Sequence, residues 1–196
     1  MIKKELIYRE ILFQVIEKKN NALTQAGLSK KLKVSLSTVN NALKPLDRMN
    51  AIKIEKMNFK VVDARKLLYY WACERKLEKD VVWGARVNMS VVDIEKEMPD
   101  GVVFTSYSAY KFNFNGAEAD YSEVYVYGNA DKIKKRFAKR VIEGPPNLFV
   151  LKMANEPDYG KTATIANIFV DLWNAKEWYA RNFLEELEIK IKEIAR

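Results

Sequence analysis

Ser35, Ser37, Thr38, Asn40, Asn41, Lys44 and Arg48 crowd one short stretch, and Lys53, Lys56, Asn58 and Lys60 follow it closely. Hydroxyls, amides and cations together suit recognition of base edges and phosphates: asparagine pairs two ways with adenine and arginine with guanine, while a lysine is a point charge beside a phosphate. Catalysis is a poorer fit. The chain has no histidine and one cysteine, Cys73, so histidine catalysis, a Cys/His zinc site and an intrachain disulfide framework are excluded. Glu118, Asp120 and Glu123 cluster without a companion histidine, a phosphate-binding glycine loop or a metal triad. Gly101, Gly116, Gly128, Gly144 and Gly160 are isolated turn residues. No catalytic residue, metal ligand or cofactor is expected.

These candidates need elements to hold them. Leu36, Val39, Leu43, Leu46 and Met49 repeat at helical spacing and predict an α-helix from Ser35 to Met49 with one apolar stripe. Ser37, Asn41, Lys44 and Arg48 then lie roughly 140 to 200° around from Val39, at ~100° per residue. Thr24 to Leu32 predicts a shorter helix, with Thr24 as its cap and Ala26, Leu28 and Leu32 facing inward. A turn through Lys33 to Ser35 joins the two. For Gly27 two readings stand, close helix packing and a distorted first turn. Ser35 and Ser37 are both cap candidates, and Ser35 serves either as cap alone or as a phosphate contact as well. Pro45 removes the hydrogen bond to the carbonyl of Asn41 and should bend the helix or leave that carbonyl to water. Ile52 and Ile54 alternate with Lys53 and Glu55, and Phe59 to Val62 returns, which predicts a hairpin over Ala51 to Val62. With an amphipathic first helix over Ile2 to Lys18, the pattern is that of a winged helix-turn-helix, its recognition helix in the major groove and its wing lysines near phosphates.

Charge follows the same division. Residues 1–62 carry 13 Lys and Arg against 5 Asp and Glu, whereas the remainder carries 21 of each. The net +8 therefore resides with the basic motif, where it would attract polyanions. The N-terminus lacks a continuous apolar core and no later segment approaches eighteen uninterrupted apolar residues, so a cytoplasmic protein without a membrane partner is expected. Asp63 caps a helix over Ala64 to about Lys79 that includes Cys73 as a partly buried small residue. Asp80 to Gly84 is the expected hinge between a DNA-binding unit, 1–80, and a mixed α/β unit, 81–196, giving an α/β (α+β) chain overall. In that second unit extended segments are expected at Val81–Trp83, Arg86–Met89, Val102–Thr105, Glu123–Tyr127 and Leu148–Met153. Helices are expected at Val91–Met98, Asp131–Ala138, Ile165–Trp173 and Glu177–Ile194, with a polar loop through Pro157, Tyr159 and Gly160. Tyr107, Tyr110, Tyr121, Tyr125 and Tyr127 pack the core, meet a protein partner or stack on a ligand, with core packing favoured.

The stretch Leu67-Leu68-Tyr69-Tyr70-Trp71-Ala72 with Arg75 and Leu77, directly after the basic motif, resembles the corresponding helix of the AbiEi-like type IV antitoxins and related transcriptional regulators. Thr105-Ser106-Tyr107-Ser108-Ala109-Tyr110, Val124-Tyr125-Val126, Leu148-Phe149-Val150-Leu151 and Ile168-Phe169-Val170-Asp171-Leu172-Trp173 are similar to segments of that family's C-terminal domain in the same order. Ala175-Lys176-Glu177-Trp178-Tyr179 is bulkier than the family pattern. The resemblance implies promoter binding by the N-terminal domain and, in true antitoxins, neutralisation of a nucleotidyltransferase toxin with help from the C-terminal domain. The expected function is thus a sequence-specific double-stranded-DNA-binding regulator, a repressor or an autoregulating antitoxin, with the second unit, not the first, carrying protein contacts. The alternative is a non-enzymatic module that neutralises such a toxin without using DNA. Tyr107, Tyr110, Tyr179 and Phe183 are the candidate protein contacts, the last two also marking a homodimer surface; a monomer that fills an extended operator in several copies is the other assembly.

Overall fold

The computed structural model describes residues 1–153 and 159–194, so Pro157 of the expected loop lies outside them. Helix α1 (Lys3–Ile16) buries Ile7, Tyr8, Ile11 and Leu12 completely. A short strand β1 (Ala22–Leu23), α2 (Gln25–Leu32), α3 (Leu36–Arg48) and the hairpin β2 (Ile52–Ile54) and β3 (Phe59–Val61) follow. Strand β3 is central, with β1 and β2 antiparallel on either side. Asp63 accepts a hydrogen bond from Lys66 N and caps α4 (Ala64–Glu74), which packs on both α1 and α8 (Ile165–Trp173).

The remaining chain builds a five-stranded sheet in the order β5 (Val103–Thr105), β6 (Val124–Gly128), β8 (Leu148–Lys152), β4 (Val81–Val87), β7 (Val141–Ile142). Strands β6 and β8 are parallel and the other pairings antiparallel. All five residues of β6 are buried, as expected when both faces of a strand are covered. On one face Tyr125, Tyr127 and Leu151 join α6 (Ser106–Phe114), α8 and α9 (Ala180–Ile194) in a core that continues without a break into α1 to α4. On the other face Val124, Val126, Leu148 and Val150 meet Ile94 of α5 (Val91–Lys96) and Ile133 and Phe137 of α7 (Ala130–Phe137). The molecule is a mixed α/β fold with N-terminal helices and a C-terminal α/β region.

Several expectations change. Helix α4 ends at Glu74 rather than near Lys79, because Arg75 turns extended (φ −66°, ψ 135°) and buries its side chain, and Leu77–Asp80 forms a 3-10 turn. Cys73 is exposed, not partly buried. The expected hinge is structured: Asp80 binds the N-terminal amine of Met1 and the Arg75 guanidinium, and Val81–Val87 is one strand with an irregular register between Val81 and Trp83. Two separate extended segments were expected there; β8 pairs with most of that length and makes it continuous. Ser106–Phe114, to which the sequence pattern assigns no element, is a helix, and α9 begins at Ala180 instead of near Glu177.

Arg75 is the polar centre of this packing. Its Nε donates to Asp171 Oδ1 (3.1 Å), its Nη2 to the Tyr127 hydroxyl (3.1 Å), and its Nη1 reaches Asp80 and Glu5 Oε2, the latter at 3.5 Å. Burial alone would lower the guanidinium pKa, but the surrounding carboxylates, Asp171 foremost, more than offset it and hold the pKa above its ordinary value. Burial likewise pushes Asp80 up, while the N-terminal amine and Arg75 pull harder and leave it lowered. A depressed carboxyl pKa contributes stability that is present above the ordinary value and lost as pH falls through the folded one, so Asp80 makes the fold acid-sensitive below about pH 4. Arg75→Met should strand the buried Asp171 and Glu5 and cost about 3–5 kcal/mol, measured by urea unfolding at neutral pH; a loss under about 1 kcal/mol would show that the cluster contributes little beyond packing.

Candidate nucleic-acid interface

Helix α2 is set by two local devices. Thr24 Oγ1 accepts from Gly27 N at 3.0 Å and caps its start, while Lys33 in the left-handed region (φ 52°) closes its end with Ser29 Oγ donating to Val34 O. The space at Gly27 serves the cap: a Cβ there would stand 2.8 Å from Thr24 Oγ1. Neither close helix packing nor a distorted turn is needed. Ser35 caps α3 by accepting from Thr38 N at 3.1 Å, and its hydroxyl also bonds the Thr38 hydroxyl at 2.8 Å. Pro45 sits within α3 without breaking it. Helix α3 is held from behind by α1, where the Tyr8 hydroxyl donates to Ala42 O at 3.2 Å.

Val39, Ala42, Leu43 and Leu46 form the buried side of α3. Ser37, Asn41, Lys44 and Arg48 are all exposed on the other side, and Lys44 Nζ donates to Asn41 Oδ1 at 3.2 Å. That amide oxygen keeps a second acceptor position and the amide nitrogen both its protons. Thr38 and Asn40 are half-buried, and the Ser35 and Thr38 hydroxyls are occupied with each other. Four side chains of the stretch therefore remain as an outward polar face.

The hairpin adds a second cationic edge. Lys53 and Lys60 face each other directly across β2 and β3, an arrangement that destabilises a strand pair when nothing answers the charge. Glu55 answers part of it with an ion pair to Lys60 at 3.2 Å. Lys53, Lys56 and Lys60 are exposed, and Met57 at the hairpin tip is 82% exposed. Asn58 is different: it is half-buried and its Oδ1 is enclosed without a hydrogen-bond partner among the described residues.

Leu36 was expected in the buried stripe but is 54% exposed. As the first residue of α3 it has no preceding helical turn over it, a consequence of position that spacing alone does not reveal; Ala26 near the start of α2 is exposed too. The expected protein contacts move the opposite way. Tyr107, Tyr110 and Phe183 have no exposed surface and Tyr179 has 8%, because Phe183 packs edge-on against both tyrosine rings and Tyr107 donates to Glu177 at 2.9 Å. These four pack the chain's own core, so neither a partner nor a second copy can use them as a surface. Glu118, Asp120 and Glu123 do not converge on a metal site; among the described residues no group of three or more acidic or sulfur ligands does. An open cleft of about 290 Å³ between α1 and α2 is lined by Glu10, Gln14, Thr24 and Lys31, at the lower limit of small-molecule pockets. No helix among the described residues is long and apolar enough to cross a membrane.

Compared with known proteins, the chain matches no protein-family model, no curated protein and no solved structure at a significant level.

Gly27→Ala should not deliver the ~1 kcal/mol that alanine usually adds inside a helix, since it displaces a cap of similar worth. In a Thr24→Ala background the same change should stabilise. Urea midpoints of the three variants check this; equal gains in both backgrounds would show that Gly27 does not make room for the cap.

Proposed function

We propose that residues 1–62 form a winged helix-turn-helix and that the protein is a sequence-specific double-stranded-DNA-binding transcriptional regulator, a repressor. The observation that carries this reading is the outward face of α3, Ser37, Asn41, Lys44 and Arg48, set beside a hairpin whose Lys53 and Lys60 are in direct register. Such a helix matches the major groove, and the hairpin lysines match the flanking phosphates. The excess positive charge of residues 1–62 supports the same partner. In this reading Asn41 and Arg48 read bases, Lys53, Lys56 and Lys60 bind phosphates, and Ser35 sets the start of the helix. Leu36, an apolar side chain at the groove-entering end, meets a thymine methyl.

The family resemblance adds neutralisation of a nucleotidyltransferase toxin as a further role for the second half. With the four aromatics enclosed, that role needs another surface, and Trp178, 82% exposed in the segment that departs from the family pattern, is the aromatic side chain best placed to supply it. A homodimer would likewise need a surface other than Tyr179 and Phe183.

Asn41→Ala and Arg48→Ala should each lose about 1–3 kcal/mol on a selected site and little on random DNA. Lys56→Ala should weaken both equally and reduce the salt slope by about 0.9. Binding isotherms on the two DNAs at several salt concentrations make the distinction, and equal losses for all three variants would defeat the assignment of base-reading residues. In the same assay, uracil in place of thymine in the selected site should weaken the wild type but not Leu36→Ala; a methyl effect that survives in Leu36→Ala removes Leu36 from recognition.

A further inference from the structure

The second half has equal numbers of acidic and basic residues, but the fold does not spread them evenly. From Asp131 to Arg140 the chain runs Asp-Lys-Ile-Lys-Lys-Arg-Phe-Ala-Lys-Arg. Ile133 and Phe137 are wholly buried against β8 and β4, and every other side chain in the run is exposed. Cations in the last turn of α7 complement the helix dipole, and two arginines have an internal acceptor: Arg136 Nε donates to Glu97 O at 3.0 Å and Arg140 Nη1 to the Glu97 carboxylate at 2.5 Å. Lys132, Lys134, Lys135 and Lys139 have no ion-pair partner among the described residues. Lys132 and Lys135 stand three residues apart on α7, and Lys139 follows in the 3-10 turn Ala138–Arg140.

We infer that this lysine face of α7 and the turn after it is a second, sequence-independent contact for the phosphate backbone of duplex DNA. It rests on the DNA-binding reading above for the choice of polyanion. Three observations select a phosphate backbone over other acidic partners. The apolar side of α7 is spent inside the protein, so nothing remains to insert into a lipid surface. Within residues 131–140 no aromatic or large aliphatic side chain is exposed, so the run itself carries no anchor of the kind a protein interface uses; the exposed Val141 and Ile142 follow it on strand β7. Plain lysines without fixed geometry suit a partner whose binding comes from counterion release. The site also stands apart from α3. Helix α7 packs on the sheet face formed by Val124, Val126, Leu148 and Val150, whereas α1 to α4 share a core with the opposite face. The contact therefore lies outside the segment that α3 would read and extends the bound DNA or holds a second segment.

The test uses the full chain with Lys132→Gln, Lys135→Gln and Lys139→Gln combined. All three positions are exposed, and circular dichroism and the urea midpoint verify that the variant folds. Binding is measured on long random duplex DNA and on a selected site, with Asn41→Ala/Arg48→Ala as the companion variant. The triple variant should lose about 2–3 from the salt slope, which removes an about 40-fold loss of affinity that the wild type suffers between 50 and 200 mM salt, and it should keep its preference for the selected site. An unchanged slope in the triple variant, with site preference still lost in the companion, overturns the α7 contact and leaves the proposed function standing. A reduced slope in the triple variant with no effect of the companion leaves the α7 contact standing and removes α3 from recognition. Wild-type protein that binds no DNA overturns both. Binding to phosphatidylserine vesicles that the triple variant loses, with DNA binding unchanged, reassigns the face to an anionic membrane surface.

Discussion

The guanidinium of Arg75 fixes how the parts of this molecule meet. It stands where α4 ends, 3% exposed, and contacts Glu5 at the start of α1, Asp171 in α8, Tyr127 in β6 and Asp80 before β4. A buried cation without partners would be strongly unfavourable, and the same holds for each carboxylate around it. The arrangement is tolerable because each charged group in it has a partner of opposite charge or a hydrogen-bonding neighbour. Asp171 accepts from Arg75, from the Thr105 hydroxyl (2.7 Å), from the Tyr127 hydroxyl (2.6 Å) and from Asn167 Nδ2 (2.8 Å). Burial and the Asp171 charge hold the Tyr127 hydroxyl far above its ordinary pKa, so it remains a donor. Removing any one member leaves another unsatisfied, which makes the cluster a specification of the packing rather than a simple sum of attractions.

The cluster also determines how firmly the polar helix face is held. Glu5 ties it to α1, and Tyr8 on the same helix bonds the Ala42 carbonyl of α3. Between these contacts lies a continuous apolar core from Ile7 and Leu43 to Phe169 and Phe183. A recognition face would have to be held within fractions of an ångström, and the polar face of α3 is carried by a helix braced through α1 to α8 and the sheet. The second half thus acts as the support of the first, whatever additional partner it has.

Local chemistry was readable from the chain and long-range polar chemistry was not. Thr24, Ser35 and Asp63 were recognisable as caps because a cap needs only a short side chain before an apolar period, and each accepts the expected backbone hydrogen bond. The hairpin followed from alternation and return. Arg75 could not be read, because its partners Glu5 and Asp171 lie 70 and 96 residues away. Without those partners the sequence pattern carries α4 past Glu74 and reads Asp80 to Gly84 as a hinge. The aromatic run had the same difficulty: Tyr107 and Tyr110 are enclosed by distant rings, Phe183 of α9 against both and Tyr121, Tyr125 and Tyr179 against Tyr107. Leu36 shows the converse, since a spacing rule that holds in mid-helix lost its basis at the first turn.

Summed charge concealed as much as it disclosed. The count assigned the whole positive excess to the first 62 residues, and that excess is real, but a balanced count over the second half says nothing about where its charges stand. Folding places Asp171 at the centre of the core, spends Glu95 on Lys111 and Tyr121, and sets Glu177 to accept from Tyr107 and Tyr125. Asp171 and Glu95 are buried and Glu177 half-buried, while Lys132, Lys134, Lys135 and Lys139 are exposed. Because charges interact through water over about 10 Å at ordinary salt, an approaching polyanion senses the local lysine face rather than the average. A second half that is neutral by count thereby carries a locally positive face along α7.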